Sequence, residues 1–225
     1  MDGKIDVVFL GVNDAGFRVY EWLCEQDDVF VHSLLTAKEQ LRSIESIHPD
    51  YVVSCGYSHI VPKEILEIPT EECLNLHPSY LPFNRGANPN VWSIIEGTPA
   101  GVTLHVMNEG IDTGEILAQR KVETKFSDTG KTLQKRLEDT QVDLFKETWP
   151  DIIANNVERE QQAENAGTYH RTDEFEELCK LDPDKNVQVK NFLNRLRALT
   201  YPPYTNATIE VNGNEYHVEV DIEKV

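Results

Sequence analysis

Val7-Val8-Phe9-Leu10, followed at once by Gly11-Val12-Asn13-Asp14-Ala15-Gly16, is the stretch on which the fold turns. A short apolar run bounded by turn residues reads as a strand buried on both faces. Asn13 or Asp14 can cap a helix running to about Cys24. The same alternation continues downstream. Val29 to Leu35 reads as a second strand, Lys38 to Ile47 as helical, Tyr51 to Cys55 as a third strand and Cys73 to His77 as a fourth, ended by Pro78. Strands alternating with helical patterns predict βαβ units and a Rossmann-like, mostly parallel α/β sheet flanked by helices. The glycine spacing approaches a dinucleotide fingerprint, but Asn13 stands where the middle glycine lets backbone approach a pyrophosphate. A tight strand-to-helix turn is expected there, with no NAD or FAD, although its helix N-terminus could receive another phosphate.

The chain carries 21 Lys and Arg against 39 Asp and Glu, a formal net charge of −18 on 225 residues. Nucleic acid is disfavoured as a partner, because binding a polyanion needs a basic face that releases counterions. A membrane surface is disfavoured too, since anionic headgroups attract Lys and Arg. No basic segment followed by a long apolar stretch marks a signal peptide, which predicts a cytoplasmic protein. Cys24, Cys55, Cys73 and Cys179 form no Cys-x-x-Cys pair and read as buried reduced thiols, with no metal site.

Beyond Gly101 the pattern changes to two longer extended runs, Val102 to Met107 and Glu115 to Glu123, joined by a polar, glycine-flanked loop from Asn108 to Gly114. Thr129 to Ile153 has the apolar spacing of a long amphipathic helix. Residues 155–168 are polar and read as a linker. Asp184 to Leu199 reads as a helix. Ala207 to Val211 and Tyr216 to Ile222 flank Asn212-Gly213, whose residues supply the positive φ angles of a two-residue hairpin turn. The expected division is a catalytic domain over 1–153 and a small helix-plus-hairpin extension over 154–225.

Two motifs carry chemistry. In Asn75-Leu76-His77-Pro78-Ser79-Tyr80-Leu81-Pro82, strand alternation points Asn75 and His77 to one face at the end of a predicted strand, where α/β proteins place ligands. Asp112 lies in the Asn108–Gly114 loop. Each alone could merely satisfy a turn. Together they form an acyl-transfer kit: imidazole to relay a proton, carboxylate to favour its charged form, carboxamide to donate to an oxyanion. His105, on a strand, reads as a core or edge histidine, and His32, His48, His170 and His217 show no partner. Trp92 and Trp149 read as core.

The Asn75–Pro82 motif, then Arg85-Gly86, then Gly101-Val102-Thr103-Leu104-His105, then Gly110-Ile111-Asp112-Thr113-Gly114, resembles the folate-dependent formyltransferases. These include glycinamide ribonucleotide, methionyl-tRNA and sugar-nucleotide enzymes. Tyr80 to Trp92 and Leu196 to Tyr204 look most like the sugar N-formyltransferases, which formylate dTDP-linked amino-dideoxy sugars such as dTDP-4-amino-4,6-dideoxyglucose, as in O-antigen and lipopolysaccharide biosynthesis. The resemblance implies Asn75, His77 and Asp112 as the catalytic trio and N10-formyltetrahydrofolate as donor. It implies two pterin-binding loops, held mostly through backbone groups: one with Tyr57, His59, Ile60 and Val61, the other with Met107, Glu109, Gly110 and Ile111. Arg85, Asn88 and Asn90 are candidates for sugar or diphosphate, although Asn88 could instead cap the helix that follows. Tyr201 and Tyr204 would stack on thymine or pack at a dimer interface. A homodimer is expected. The alternatives are another amine acceptor, such as glycinamide ribonucleotide, and a non-catalytic sugar-nucleotide or folate-binding module.

Overall fold

The computed structural model describes residues 3–11, 13–163 and 166–225; Val12 of the first turn lies outside them. In chain order the elements are β1 (Ile5–Leu10), α1 (Asp14–Cys24), β2 (Val29–Leu35), a 3-10 turn (Lys38–Ser43) running into α2 (Ile44–Ile47), β3 (Tyr51–Cys55), α3 (Lys63–Leu66), β4 (Glu72–His77), β5 (Arg85–Gly86), α4 (Pro89–Glu96), β6 (Gly101–Val106), β7 (Ile116–Lys121) and α5 (Gly130–Ile153). The C-terminal part adds β8 (Tyr169–His170), α6 (Thr172–Cys179), β9 (Lys180–Leu181), α7 (Val189–Leu199), β10 (Thr208–Val211) and β11 (Asn214–His217).

One six-stranded sheet in the order β2-β1-β3-β4-β6-β7 organises the molecule. Its first four strands are parallel, and β6 and β7 add in antiparallel fashion. The apolar runs are buried on both faces, as their continuous hydrophobicity required. Val7 and Phe9 pack into a core that includes α1, α5 and α7, while Val8 and Leu10 pack into a second core with Leu41, Ile44, Ile65 and Cys73. Leu196, Ala198 and Leu199 of α7 share the first core with Leu74 and Leu76 of β4, which ties the C-terminal helix to the strand carrying the first motif.

The chain leaves β1 in one direction for β2 and in the other for β3, so a topological switch point lies between β1 and β3. The turn after β1 closes tightly against β3. A Cβ on Gly11, whose φ is +139°, would stand 1.9 Å from the Cys55 carbonyl oxygen, which is why glycine occupies that position. Asn13 is the cap: its side-chain oxygen accepts from the Gly16 N–H at 2.8 Å.

Several expectations are corrected. Only Ile44–Ile47 of the Lys38–Ile47 segment is α-helical, α7 starts at Val189 instead of Asp184, and the second hairpin strand spans Asn214–His217 instead of Tyr216 to Ile222, while the first ends at Val211 as expected. Asn212 and Gly213 take the expected positive φ values, 52° and 77°. Cys24 is exposed at the end of α1, not buried; Cys55 and Cys73 are buried, and burial pushes each thiol up to about 12. The described residues of the 155–168 stretch are tied to the sheet: Glu160 and Ile116 exchange two backbone hydrogen bonds of 2.8 and 2.9 Å, and the strand that follows, β8, pairs with β5.

Phe145 of α5 is fully buried, edge-on to Trp22 at 5.9 Å and stacked with Trp149 at 5.3 Å. Phe145→Ala should cost about 3–5 kcal/mol of stability in a denaturant titration, and a loss below about 1 kcal/mol would contradict this packing.

Candidate active site

Strand alternation on β4 sends Leu74 and Leu76 into the core and turns Asn75 and His77 to the other face. Across the antiparallel pair, Asn75 is the register partner of His105 on β6. The loop from Asn108 to Gly114 folds back so that Asp112 reaches both strands. Asn75 Nδ2 donates to Asp112 Oδ1 at 3.4 Å and faces His105 Nε2 at 3.2 Å. His77 Nδ1 lies 3.6 Å from Asp112 Oδ2, and His105 Nε2 lies 3.5 Å from Asp112 Oδ1. The Gly86 N–H of β5 donates to Asp112 Oδ2 at 2.9 Å.

The tautomers follow from partners that can only accept. His77 Nε2 donates to the Asn84 carbonyl at 3.1 Å, and His105 Nδ1 donates to the Val106 carbonyl at 2.9 Å. The nitrogen turned to Asp112 is therefore Nδ1 in one ring and Nε2 in the other. His105 is buried on β6, in keeping with its reading as a core or edge histidine, and its Nε2 in addition meets Asp112 and Asn75. Only its pairing to Asn75 across β4 and β6 reveals this. His170 also has partners: its ring stacks on Trp92 at 4.0 Å and sits between the carboxylates of Glu96 and Glu174 at 3.1 and 3.4 Å. Trp92 and Trp149 are core residues, as expected.

Burial alone would push the Asp112 carboxyl up. The His77 charge, the His105 hydrogen bond and charge, and the Gly86 N–H more than reverse this and hold it well below the usual carboxylate range. His77 and His105 are buried, while Asp112 and Asn75 keep part of their surface open.

A cleft of about 530 Å³ opens at the carboxyl ends of β1, β3 and β4. Asn13, Tyr57, Pro78, Asn88, Asn90, Gln134, Tyr201, Tyr204 and Asn206 are among the residues that line it. Pro78 directly follows His77. No Lys, Arg, Asp or Glu is among the described residues of the lining; the N-termini of α1 and α4 open on it instead. Asn88, Asn90, Tyr201 and Tyr204 thus meet in one place. The Asn90 amide is committed to the Gly130 carbonyl at 3.1 Å, and the side chain of Asn88 makes no cap hydrogen bond. The Tyr201 and Tyr204 rings lie 5.7 Å apart, with Tyr204 exposed. Arg85 is placed elsewhere: it is not part of the cleft lining, and its Nε and Nη2 donate to the Gln162 side chain. A smaller hollow of about 110 Å³ at the opposite strand ends is bordered by Tyr51, Glu71, Glu72 and Arg159, and Arg159 pairs there with Glu72.

The two loops expected to hold a pterin face each other. Lys63 Nζ, just past the first loop, is 2.5 Å from Glu109 Oε1 of the second, and Tyr57, Val61 and Met107 pack into the same apolar cluster. Each loop leaves one isoleucine exposed, Ile60 and Ile111. His59 packs edge-on to Tyr57 at 5.3 Å, and the Tyr57 hydroxyl is buried with no hydrogen-bond partner among the described residues. Gly110 stays in the loop through its N–H to Asn108 Oδ1.

A family model described as formyl transferase matches residues 19–148, more than half of the chain. The chain belongs to the formyl transferase family. A second model, the N-formyltransferase dimerization C-terminal domain, matches residues 174–224. The dTDP-4-amino-4,6-dideoxyglucose formyltransferase of Mycobacterium tuberculosis is 35% identical over 152 residues, 67% of this chain and 64% of that one, so the match spans less than two thirds of the curated relative. Methionyl-tRNA formyltransferases match as well, that of Ehrlichia ruminantium at 35% over 83% of this chain and 58% of its own. Among solved structures, a 4-N formyltransferase from Francisella tularensis superposes with a TM-score of 0.87 at 27% identity, covering 98% of this chain and 99% of that one. The formyltransferase PseJ from Anoxybacillus kamchatkensis, in complex with UDP-4,6-dideoxy-4-formamido-L-AltNAc and tetrahydrofolate, gives 0.64 at 35% identity over 76% and 88%.

Because Asp112 titrates lower in the folded than in the unfolded chain, its contribution to stability is complete above the ordinary aspartate value of about 3.9 and is withdrawn as the pH falls below it. Carbon-13 NMR of the side-chain carboxyls should show Asp112 ionised throughout mildly acidic and neutral pH. A midpoint at or above about 4 would contradict the arrangement.

Proposed function

We propose that this chain transfers a formyl group from N10-formyltetrahydrofolate to the amino group of a dTDP-linked amino-dideoxy sugar, with dTDP-4-amino-4,6-dideoxyglucose the favoured acceptor. The observation that carries this reading is the convergence of Asn75, His77 and Asp112, 3.4 and 3.6 Å from contact to contact, beside a cleft at the carboxyl ends of the parallel strands. The relatives named above include a dTDP-amino-sugar formyltransferase and a tetrahydrofolate-bound sugar formyltransferase, which supports both substrates.

The donor brings a formyl carbon activated on a folate nitrogen. The sugar amine attacks as its free base, and the proton it sheds needs an acceptor. His77 Nε2–H is held by the Asn84 carbonyl, so Nδ1 is the nitrogen free to take that proton, and the Asp112 carboxylate stabilises the imidazolium that results. The same proton can then pass to the departing folate nitrogen, directly or through water. Asn75 Nδ2 has two hydrogens, and its longer contact, to Asp112, is the one a developing oxyanion would replace. A donor placed this way is worth about 3 kcal/mol of barrier.

The facing loops suit a pterin: exposed Ile60 and Ile111 offer apolar contact, backbone groups offer hydrogen bonds, and the buried Tyr57 hydroxyl has no partner among the described residues. The cleft suits an anionic nucleotide sugar despite the acidic chain, because its lining is neutral and two helix N-termini open on it. Tyr201 and Tyr204 offer faces for a base. The charge of −18 disfavours tRNA as the acceptor. The match to a dimerization domain supports a homodimer, and Tyr216 lies exposed on the hairpin within that match.

Protein mixed with N10-formyltetrahydrofolate and dTDP-4-amino-4,6-dideoxyglucose should yield a sugar heavier by one formyl group. His77→Asn and Asp112→Asn should each lower kcat by about 100-fold or more while the protein stays folded. Absence of formylated product with any nucleotide amino sugar, or wild-type turnover in both variants, would refute the reading; preferential formylation of glycinamide ribonucleotide would reassign the acceptor. Sedimentation at micromolar concentration should give about twice the chain mass of 25.7 kDa, and a species at 25.7 kDa would contradict the dimer.

A further inference from the structure

The matches to the two family models leave residues 149–173 between them. The described part of this segment lies directly on the site. Arg85 N–H donates to the Thr168 carbonyl at 3.0 Å and Ala87 N–H to the His170 carbonyl at 2.9 Å. The approach is so close that a Cβ on Gly86 would stand 2.3 Å from the His170 oxygen. Gly86 is the residue whose N–H holds the Asp112 carboxylate.

Gln162, in the same segment, grips Asp112 from the other side. Its Nε2 donates to the Asp112 carbonyl at 3.0 Å and to the Gly114 carbonyl at 2.8 Å. Its Oε1 accepts from Arg85 Nε at 3.2 Å and Nη2 at 2.7 Å. Arg85 can only donate and the two carbonyls can only accept, so an amide, with one donor end and one acceptor end, is the group that fits between them. What it restrains is strained: Asp112 has φ +53°, a left-handed conformation that a non-glycine residue keeps only when its surroundings hold it.

We propose that Gln162, oriented by Arg85, is a positioning residue that locks the Asp112 loop in its left-handed turn and so sets the carboxylate against His77. The role assigned to the turnover rests on the formyl-transfer reading above. The part of the chain whose composition reads as a linker then completes the site. Arg85 acts through this lock, which accounts for its place outside the cleft.

The decisive variant is Gln162→Glu. It is nearly isosteric and keeps an acceptor for Arg85, but it sets a carboxylate against two carbonyl oxygens. Steady-state kinetics with the amino sugar and formyl donor should show kcat reduced about 10- to 100-fold, with both KM values within about threefold of wild type. Hydrogen–deuterium exchange should quicken about tenfold or more at the Gly86 amide and through residues 110–114, with the thermal midpoint little changed. Gln162→Ala, which removes the lock without adding repulsion, should move the same readouts in the same direction and serves if the Glu variant does not fold. Gln161→Ala, in which the neighbouring exposed side chain loses its bond to Glu115, should behave as wild type. Unchanged Gly86 exchange, or wild-type kcat in both Gln162 variants, would overturn the proposal. So would a raised KM with kcat intact, since that marks a substrate contact, or an equal loss in Gln161→Ala. If the wild-type protein formylates no amine, the functional reading fails, and the exchange data still decide whether Gln162 positions Asp112.

Discussion

A carboxylate removed from water and kept ionised is the constraint on which this site depends. Asp112 is mostly buried, and a buried charge is expensive unless other groups answer it. Here the answer comes from four sources brought together from distant parts of the chain: the Gly86 N–H, the Asn75 amide, and the imidazoles of His77 and His105 whenever the nitrogen turned to Asp112 carries a proton. Removing one partner leaves the charge imperfectly compensated, so these residues act as one unit. Their effects on activity should not add independently.

The fold supplies the rigidity this demands. β4 lies inside the sheet with β3 on one side and β6 on the other, so the Asn75–His105 pair is fixed by backbone register and not by side-chain preference. The antiparallel addition of β6 to an otherwise parallel sheet is what sets His105 opposite Asn75. The switch point between β1 and β3 opens the neighbouring cleft. Its neutral lining reconciles a strongly acidic chain with anionic ligands, because helix termini act over short range where net charge does not decide.

Much of this was legible in the sequence, and the failures share a cause. Period-two alternation placed Asn75 and His77 on one face, continuous apolar runs identified the doubly buried strands, and Asn212-Gly213 announced the hairpin; these are local properties. The strand position of His105 tells of its burial but not of its contact with Asn75, which lies 30 residues away across an antiparallel pairing that no local pattern specifies. Residues 155–168 read as a linker because they are polar, yet Glu160, Gln162 and Thr168 hydrogen-bond to β7, the Pro82–Asn84 turn, β5 and the Asp112 loop. Residue type alone places Cys24 in the interior, whereas helix phase turns it outward. Burial of polar groups is decided by partners, and partners are tertiary.

The most direct measurement is a crystal structure of the protein with tetrahydrofolate and an amino-sugar nucleotide bound together. The account predicts the sugar amine within hydrogen-bond reach, roughly 2.6–3.2 Å, of His77 Nδ1 or the Asp112 carboxylate, with the folate between the loops of Tyr57–Val61 and Met107–Ile111. Both ligands seated away from Asn75, His77 and Asp112 would contradict it.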